Sequence, residues 1–277
     1  MRLAGTTAIP IVALTIRITN ADEMKMISRS CNTLFFVFLF YFVETQAQVA
    51  SFCNLKNATT KGGEKISYKV YYTLAGIYVP AGEATFSNEL ESYNQQKVFH
   101  VVGEGHTYAS YDWFYKVRDV YESFIDTLTM LPVKFQRNIS EGGKKNFDQV
   151  LFKHSEGKAV SNRKTVPISN CTQDVLSMIY YARNIDFSKC KVNEKIPFEM
   201  YLDDQVHSLY LRYLGKAVLK TKYGTFNTIK FKPKLIEGTL FRGGEEMTVY
   251  VSDDKNKIPI YIETPIVVGK VKVYLIR

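Results

Sequence analysis

The side chains able to do chemistry in this chain of 277 residues lie far apart, and their spacing favours no reaction. Asp119, Asp126 and Glu141 are the carboxylates that could act as a pair on an envelope glycan. That hydrolysis needs two carboxyl groups roughly 5–9.5 Å apart in an open cleft, and only the fold could bring these together. Arg118, Arg137 and Arg183 sit inside otherwise apolar segments, with Asp119, Glu141 and Asp174 near them in sequence. A guanidinium so placed suits a structural ion pair, the plainer expectation, or the carboxylate or phosphate of a ligand. Asp112-Trp113-Phe114-Tyr115 is the densest aromatic patch and holds the single tryptophan. Exposed, Trp113 and Tyr115 would stack on a sugar or cover an acyl chain; on a strand face they would be core, and core is the expectation.

The usual catalytic signatures are missing. Neither G-x-S-x-G nor G-x-x-x-x-G-K-[ST] occurs, which argues against an esterase elbow and a phosphate loop. His100, His106, His154 and His207 show no metal-ligand spacing to one another or to cysteine, so neither a metal nor a cofactor is expected. Asp253-Asp254-Lys255-Asn256 resembles a calcium loop only at its start, because the twelfth position is Thr264 rather than an acid. Binding is therefore favoured over catalysis. The net charge of +9 is spread through the chain rather than gathered in a stripe, so nucleic acid is not an expected partner. A solvated basic surface, open to attraction by an anionic envelope, is the better reading.

The N-terminal region supplies a compartment. From Met24 the order is Lys25 and Arg29, the uncharged run Leu34 to Val43, then Thr45-Gln46-Ala47. A charged region, a short apolar region and a small-x-small site form the grammar of a secretory signal peptide, with cleavage expected after Ala47. Met24 or Met26 would serve as the start of that leader as well as Met1. The apolar run is too short for a span, which needs about 20 residues. Residues 1–47 are thus read as a leader and 48–277 as a single β-rich domain with no transmembrane span after cleavage. In an oxidising compartment Cys53, Cys171 and Cys190 allow one disulfide and one spare thiol, and spacing leaves the pairing open.

Alternation of apolar and polar residues dominates the mature chain. Ile66–Tyr72, Gly82–Phe86, 97–104, 119–126, 132–139 and 146–153 read as antiparallel strands, with a hairpin turn at Gly142-Gly143. After residue 171 the period changes to that of a helix of roughly three turns over Val175–Ala182, with Thr172 as the expected N-cap. Alternation then resumes over 196–202, 207–214, 217–221, 224–233, 247–252, 258–263 and 267–275. The expected fold is mainly β: curved or barrel-like antiparallel sheets with one helix packed against them.

In order and spacing these motifs resemble the bacterial exported family catalogued as domain of unknown function 3108, in a form seen in Bacteroidetes-like envelopes. The first half matches through Gly63-Glu64 with Tyr68, Ala81-Gly82-Glu83-Ala84, Asp119 with Ser123 and Asp126, Leu131-Pro132, and Arg137 with Glu141-Gly142. The second half matches through Asp174-Val175-Leu176-Ser177, Tyr180-Tyr181, Arg183, Gly224-Thr225-Phe226, Pro233, Glu237-Gly238 with Phe241, Asp253-Asp254 with Pro259, and Gly269-Lys270-Val271. The resemblance implies a periplasmic or cell-surface β-rich protein without an established activity. It also implies a Cys53 to Cys171 bridge, with Cys190 as an extra. The functional expectation is non-enzymatic binding of a lipid, a glycolipid or an envelope protein partner; the alternative is a hydrolase of envelope glycans.

Overall fold

Period-two alternation makes ribbons with one apolar face, and such ribbons are stable only when the face is covered. In the computed structural model, which describes residues 52–237 and 242–276, the ribbons solve this by joining into one sheet. The leader, its candidate starts and the cleavage position lie outside the described residues. In chain order the elements are β1 (Lys65–Leu74), β2 (Ile77–Tyr93), β3 (Gln96–Thr107), the short helix α1 (Asp112–Tyr115), β4 (Arg118–Asp126), β5 (Pro132–Glu141) and β6 (Lys144–Lys153). Next come β7 (Lys158–Ser161), β8 (Thr165–Pro167), α2 (Val175–Ala182), β9 (Lys195–Leu202), β10 (Gln205–Thr221) and β11 (Gly224–Pro233). The last are β12 (Leu235–Glu237), β13 (Arg242–Gly244), β14 (Thr248–Ser252), β15 (Pro259–Pro265) and β16 (Lys270–Leu275).

Fourteen strands form a sheet in the order β8-β7-β6-β5-β4-β3-β2-β1-β16-β15-β14-β11-β10-β9, every neighbour antiparallel, while β12 and β13 pair separately. The fold is mainly β with a curved sheet, as the alternation requires. Tight turns with both central residues at positive φ join several strands: Ala75-Gly76, Gly142-Gly143 and Asp203-Asp204.

The two edges of this sheet meet. Phe135, Val150, Phe152, Ala159 and Val166 of β5 to β8 share a buried cluster with Tyr201 of β9. Arg137 of β5 is in register with Asp148 of β6 and also pairs with Asp203 in the β9–β10 turn. Arg163, between β7 and β8, reaches Asp148 and bonds Asp204 at 2.7 Å. Aspartates tolerate the left-handed conformation of that turn, which is how two carboxylates come to face two arginines from the opposite edge. The backbone of Gln173 completes the cover of β9, donating to Glu199 O at 2.9 Å and accepting from Tyr201 N at 2.8 Å.

Helix α2 packs against the main buried cluster, contributing Leu176, Tyr180 and Tyr181. It has two turns rather than the three expected, and its cap is Asp174, not Thr172. Asp174 accepts from the amides of Leu176 and Ser177 at 2.8 Å, and the Ser177 hydroxyl accepts from the Asp174 amide at 2.8 Å, a reciprocal box. Thr172 instead turns to Ser169 and Glu199. Cys53 and Cys171 form a disulfide that ties the start of the described chain to the segment entering α2, and Cys190 is free.

Three strand boundaries also differ from the sequence reading. β2 extends far beyond Gly82–Phe86. The segments 207–214 and 217–221 are one strand, β10, bent by an irregularity between Tyr213 and Lys216 where Gly215 has φ +92°. Val267–Gly269 is a turn rather than the start of β16.

Candidate functional site

The inner face of β1 presents Ile66, Tyr68 and Val70, alternate residues that a strand must place on one side. Val273 of the adjacent β16 continues this face, and across from it stand Met178 and Ile179 of α2 and, farther round the sheet, Leu211 and Val249. Between these surfaces lies a cavity of about 540 Å³. That is the size of a small-molecule site, and its wall is almost wholly hydrocarbon and aromatic. The helix fails to fill the sheet's concavity because it is short. Its Leu176 end is fixed against β3 and β4, where Ser123 donates to Asp174 at 2.6 Å and a Cβ on Gly103 would stand 3.1 Å from Leu176.

The two arginines facing the cavity carry their own partners, while Lys234 and Lys257 complete its charged lining. Arg183 is buried and bidentate on Glu64, at 2.6 and 2.8 Å, with a third bond to Asn256 O at 2.8 Å. Arg137 is held by Asp148 and Asp203. Burial pushes the hydroxyls of Tyr68 and Tyr180 up, the latter to about 12, so both stay protonated. Lys234 is exposed where the lining reaches solvent, its ammonium 5.8 Å from the Tyr210 ring. The arrangement can hold an uncharged chain inside and meet a polar group at Lys234.

Of the five residues singled out in the sequence for ligand contact, Arg137 and Arg183 line this cavity; Trp113, Tyr115 and Arg118 do not. Trp113 and Tyr115 sit on the β3–β4 connection, and Arg118 opens β4. Arg118 is tied to Asp112 at 2.7 Å and to Thr107 O at 3.1 Å. The aromatic patch is not core: Trp113 is 83% exposed and Tyr115 43%, because Asp112–Tyr115 forms a helical turn outside the sheet. The sequence-adjacent acids are likewise not the arginines' partners; those come from across strands or loops.

Of the three carboxylates considered for hydrolysis, Glu141 and the buried Asp119 come together, and Asp126 stands apart from both. Asp119 and Asp126 stand at opposite ends of β4, about 23 Å apart along a strand. Asp126 accepts from the amides of Leu128 and Thr129 in the next turn. Glu141 lies against Asp119, and burial together with that neighbouring carboxylate raises its pKa. Among the described residues no three His, Cys, Asp or Glu side chains gather as metal ligands. No helix among them is long and apolar enough to cross a membrane.

A fourteen-strand antiparallel sheet curled around one helix and an apolar cavity defines a barrel-like β protein. A crystal structure of a "beta-barrel-like protein of domain of unknown function DUF1849" from Brucella abortus is similar, with a TM-score of 0.52 over 79% of this chain and 98% of that one, at 8% identity. The likeness is one of fold. The profile of the family described as "protein of unknown function (DUF3108)" matches residues 67–276, and the chain belongs to that family. No curated protein matches the sequence.

Proposed function

We propose that this chain is an exported protein of the periplasm or cell envelope that binds a lipid-like or amphipathic ligand without transforming it. The cavity of about 540 Å³ with hydrocarbon walls carries the reading. Buried apolar walls reward an apolar guest, and the neutralised Arg137 and Arg183 offer no free charge to an anion held inside. Lys234, an exposed lysine of the lining, suits the polar or anionic head of such a guest. The leader pattern of residues 24–47 supports export.

The test is a thermal melt of the purified protein with and without lipid extracted from its own envelope. A ligand at about 100 times its Kd adds about 2.7 kcal/mol, which raises the Tm by several degrees. An unmoved Tm at every lipid concentration sinks the proposal.

A further inference from the structure

Strand polarity places the β1–β2, β3–β4, β5–β6 and β15–β16 connections at one end of the sheet. They are stitched to one another. Thr73 is in register with Lys270, the Tyr72 hydroxyl donates to Val268 O at 3.0 Å, and Gly269 packs so tightly that a Cβ would lie 2.5 Å from Thr73 O. Tyr108 N donates to Ala81 O at 3.0 Å, and Gly142 N to Lys116 O at 2.9 Å. This rim therefore holds its side chains on a fixed frame.

Those side chains are of the wrong kind for water. Leu74 is 41% exposed, Ile77 61%, Trp113 83%, Val267 51% and Val268 57%. Aliphatic tips with a tryptophan and Tyr115 beside them are the composition that settles at a bilayer's headgroup boundary. Exposed lysines surround them: Lys116, Lys144, Lys145 and Lys270, with Lys234 on the same end. Several acids nearby are already engaged, Asp112 by Arg118, Asp203 by Arg137 and Asp204 by Arg163. Lys270 lies 3.7 Å from Glu263, so the lysines left to meet an anionic surface are Lys116, Lys144, Lys145 and Lys234, in a chain of net charge +9.

We propose that this rim docks the protein on an anionic lipid bilayer, with Ile77, Trp113 and Val268 entering the headgroup layer and the lysines meeting lipid phosphates. Separate turn tips make points of entry into a fluid surface rather than one flat face for a rigid partner. The attachment stands on the rim alone. Lys234, an exposed residue of the cavity's lining, lies toward the same end of the sheet.

The experiment uses the full chain and vesicles of phosphatidylglycerol and phosphatidylethanolamine, with phosphatidylcholine vesicles as the neutral comparison. Trp113 is the single tryptophan, so its fluorescence reads this rim and nothing else. Expected are co-flotation with the anionic vesicles, a blue-shifted emission, and weakening by salt. The double variant Ile77→Ser/Val268→Ser should cut vesicle partition by about tenfold or more. Leu90→Ser/Leu128→Ser, changed at the other end of the sheet, should leave it intact, and melts of both variants confirm folding. Flotation with unmoved Trp113 emission would mean that another segment, such as the apolar run before residue 44, does the binding, and would overturn the proposal. So would equal partition of the rim variant and the native chain, or no flotation at all, which would leave the rim to a protein partner. None of these outcomes depends on ligand in the cavity.

Discussion

Replacing Val273 by tryptophan should close the cavity from the side of β16. Val273 is in register with Val70 and Ile262, half-buried, and faces the space between the sheet and α2. A filled core would resist the change, since overpacking costs about 1–3 kcal/mol. An open cavity of about 540 Å³ accepts an indole with little loss of stability but then has less room for a guest. The size of the effect follows from chain burial. Each methylene removed from water is worth about 0.8 kcal/mol, about fourfold in Kd. Four more methylenes, from an octyl to a dodecyl chain on one common anionic head, should tighten binding by about 3 kcal/mol, or roughly two hundredfold. Val273→Trp should weaken the dodecyl ligand by about tenfold or more and the octyl ligand less, and Val273→Ala should bind both. Calorimetric titration below the micelle concentration measures all of these. An affinity that ignores chain length, or a folded Val273→Trp protein that binds the dodecyl ligand like the native one, would refute the reasoning.

Other outcomes follow from the same geometry. Arg137→Met leaves Asp148 buried with half its partners, so stability should fall by about 3–5 kcal/mol; a fall below about 1 kcal/mol in a denaturant titration would show that the sheet edges are joined by something else. Breaking the disulfide with Cys53→Ser/Cys171→Ser releases a loop with a sequence separation of 118, which should cost about 2–5 kcal/mol, read as a lower Tm than the native protein under oxidising conditions and none under reducing ones. Asp174 is fully buried, and burial raises its carboxyl to about 6 despite the bonds from Ser123, Ser177 and Leu176. A raised folded-state pKa means that the group's contribution is fully present below about 4 and is lost as pH rises through about 6. Asp174→Asn removes that titration and keeps a capping side chain, so its stability relative to native should climb by about 3 kcal/mol between pH 4 and 6 and then level off. A difference independent of pH would show that Asp174 is not strained by burial.

Alternation made most strands legible, because each must turn one face inward. It failed where a strand leaves that pattern. The strand read over Gly82–Phe86 begins only after Pro80, although β2 runs through that proline from Ile77, with an irregularity in its pairing to β1 between Val70 and Tyr71. Gly215 read as a break although β10 only bends there. Ion-pair partners misled for a related reason: in a sheet Arg137 meets the residue opposite it, Asp148, rather than its sequence neighbour Glu141. Arg183 finds Glu64 from the far start of the chain. Arg137 and Arg183 signalled the cavity because a charge inside an apolar segment must be close to the interior. The cavity itself had no sequence signal, since its walls come from strands far apart in the chain. Tyr71 shows the same limit on the outer face. It is buried because the long β10–β11 hairpin folds over it, placing the Lys222 ammonium 3.8 Å from its ring centroid.

The central claim is that the cavity is occupied in the cell. Native mass spectrometry of the protein isolated from a Gram-negative envelope without refolding tests it most directly. The account predicts extra mass that stays with the folded chain, disappears on denaturation and is absent from Val273→Trp. A bare polypeptide mass under conditions that keep the fold would contradict it.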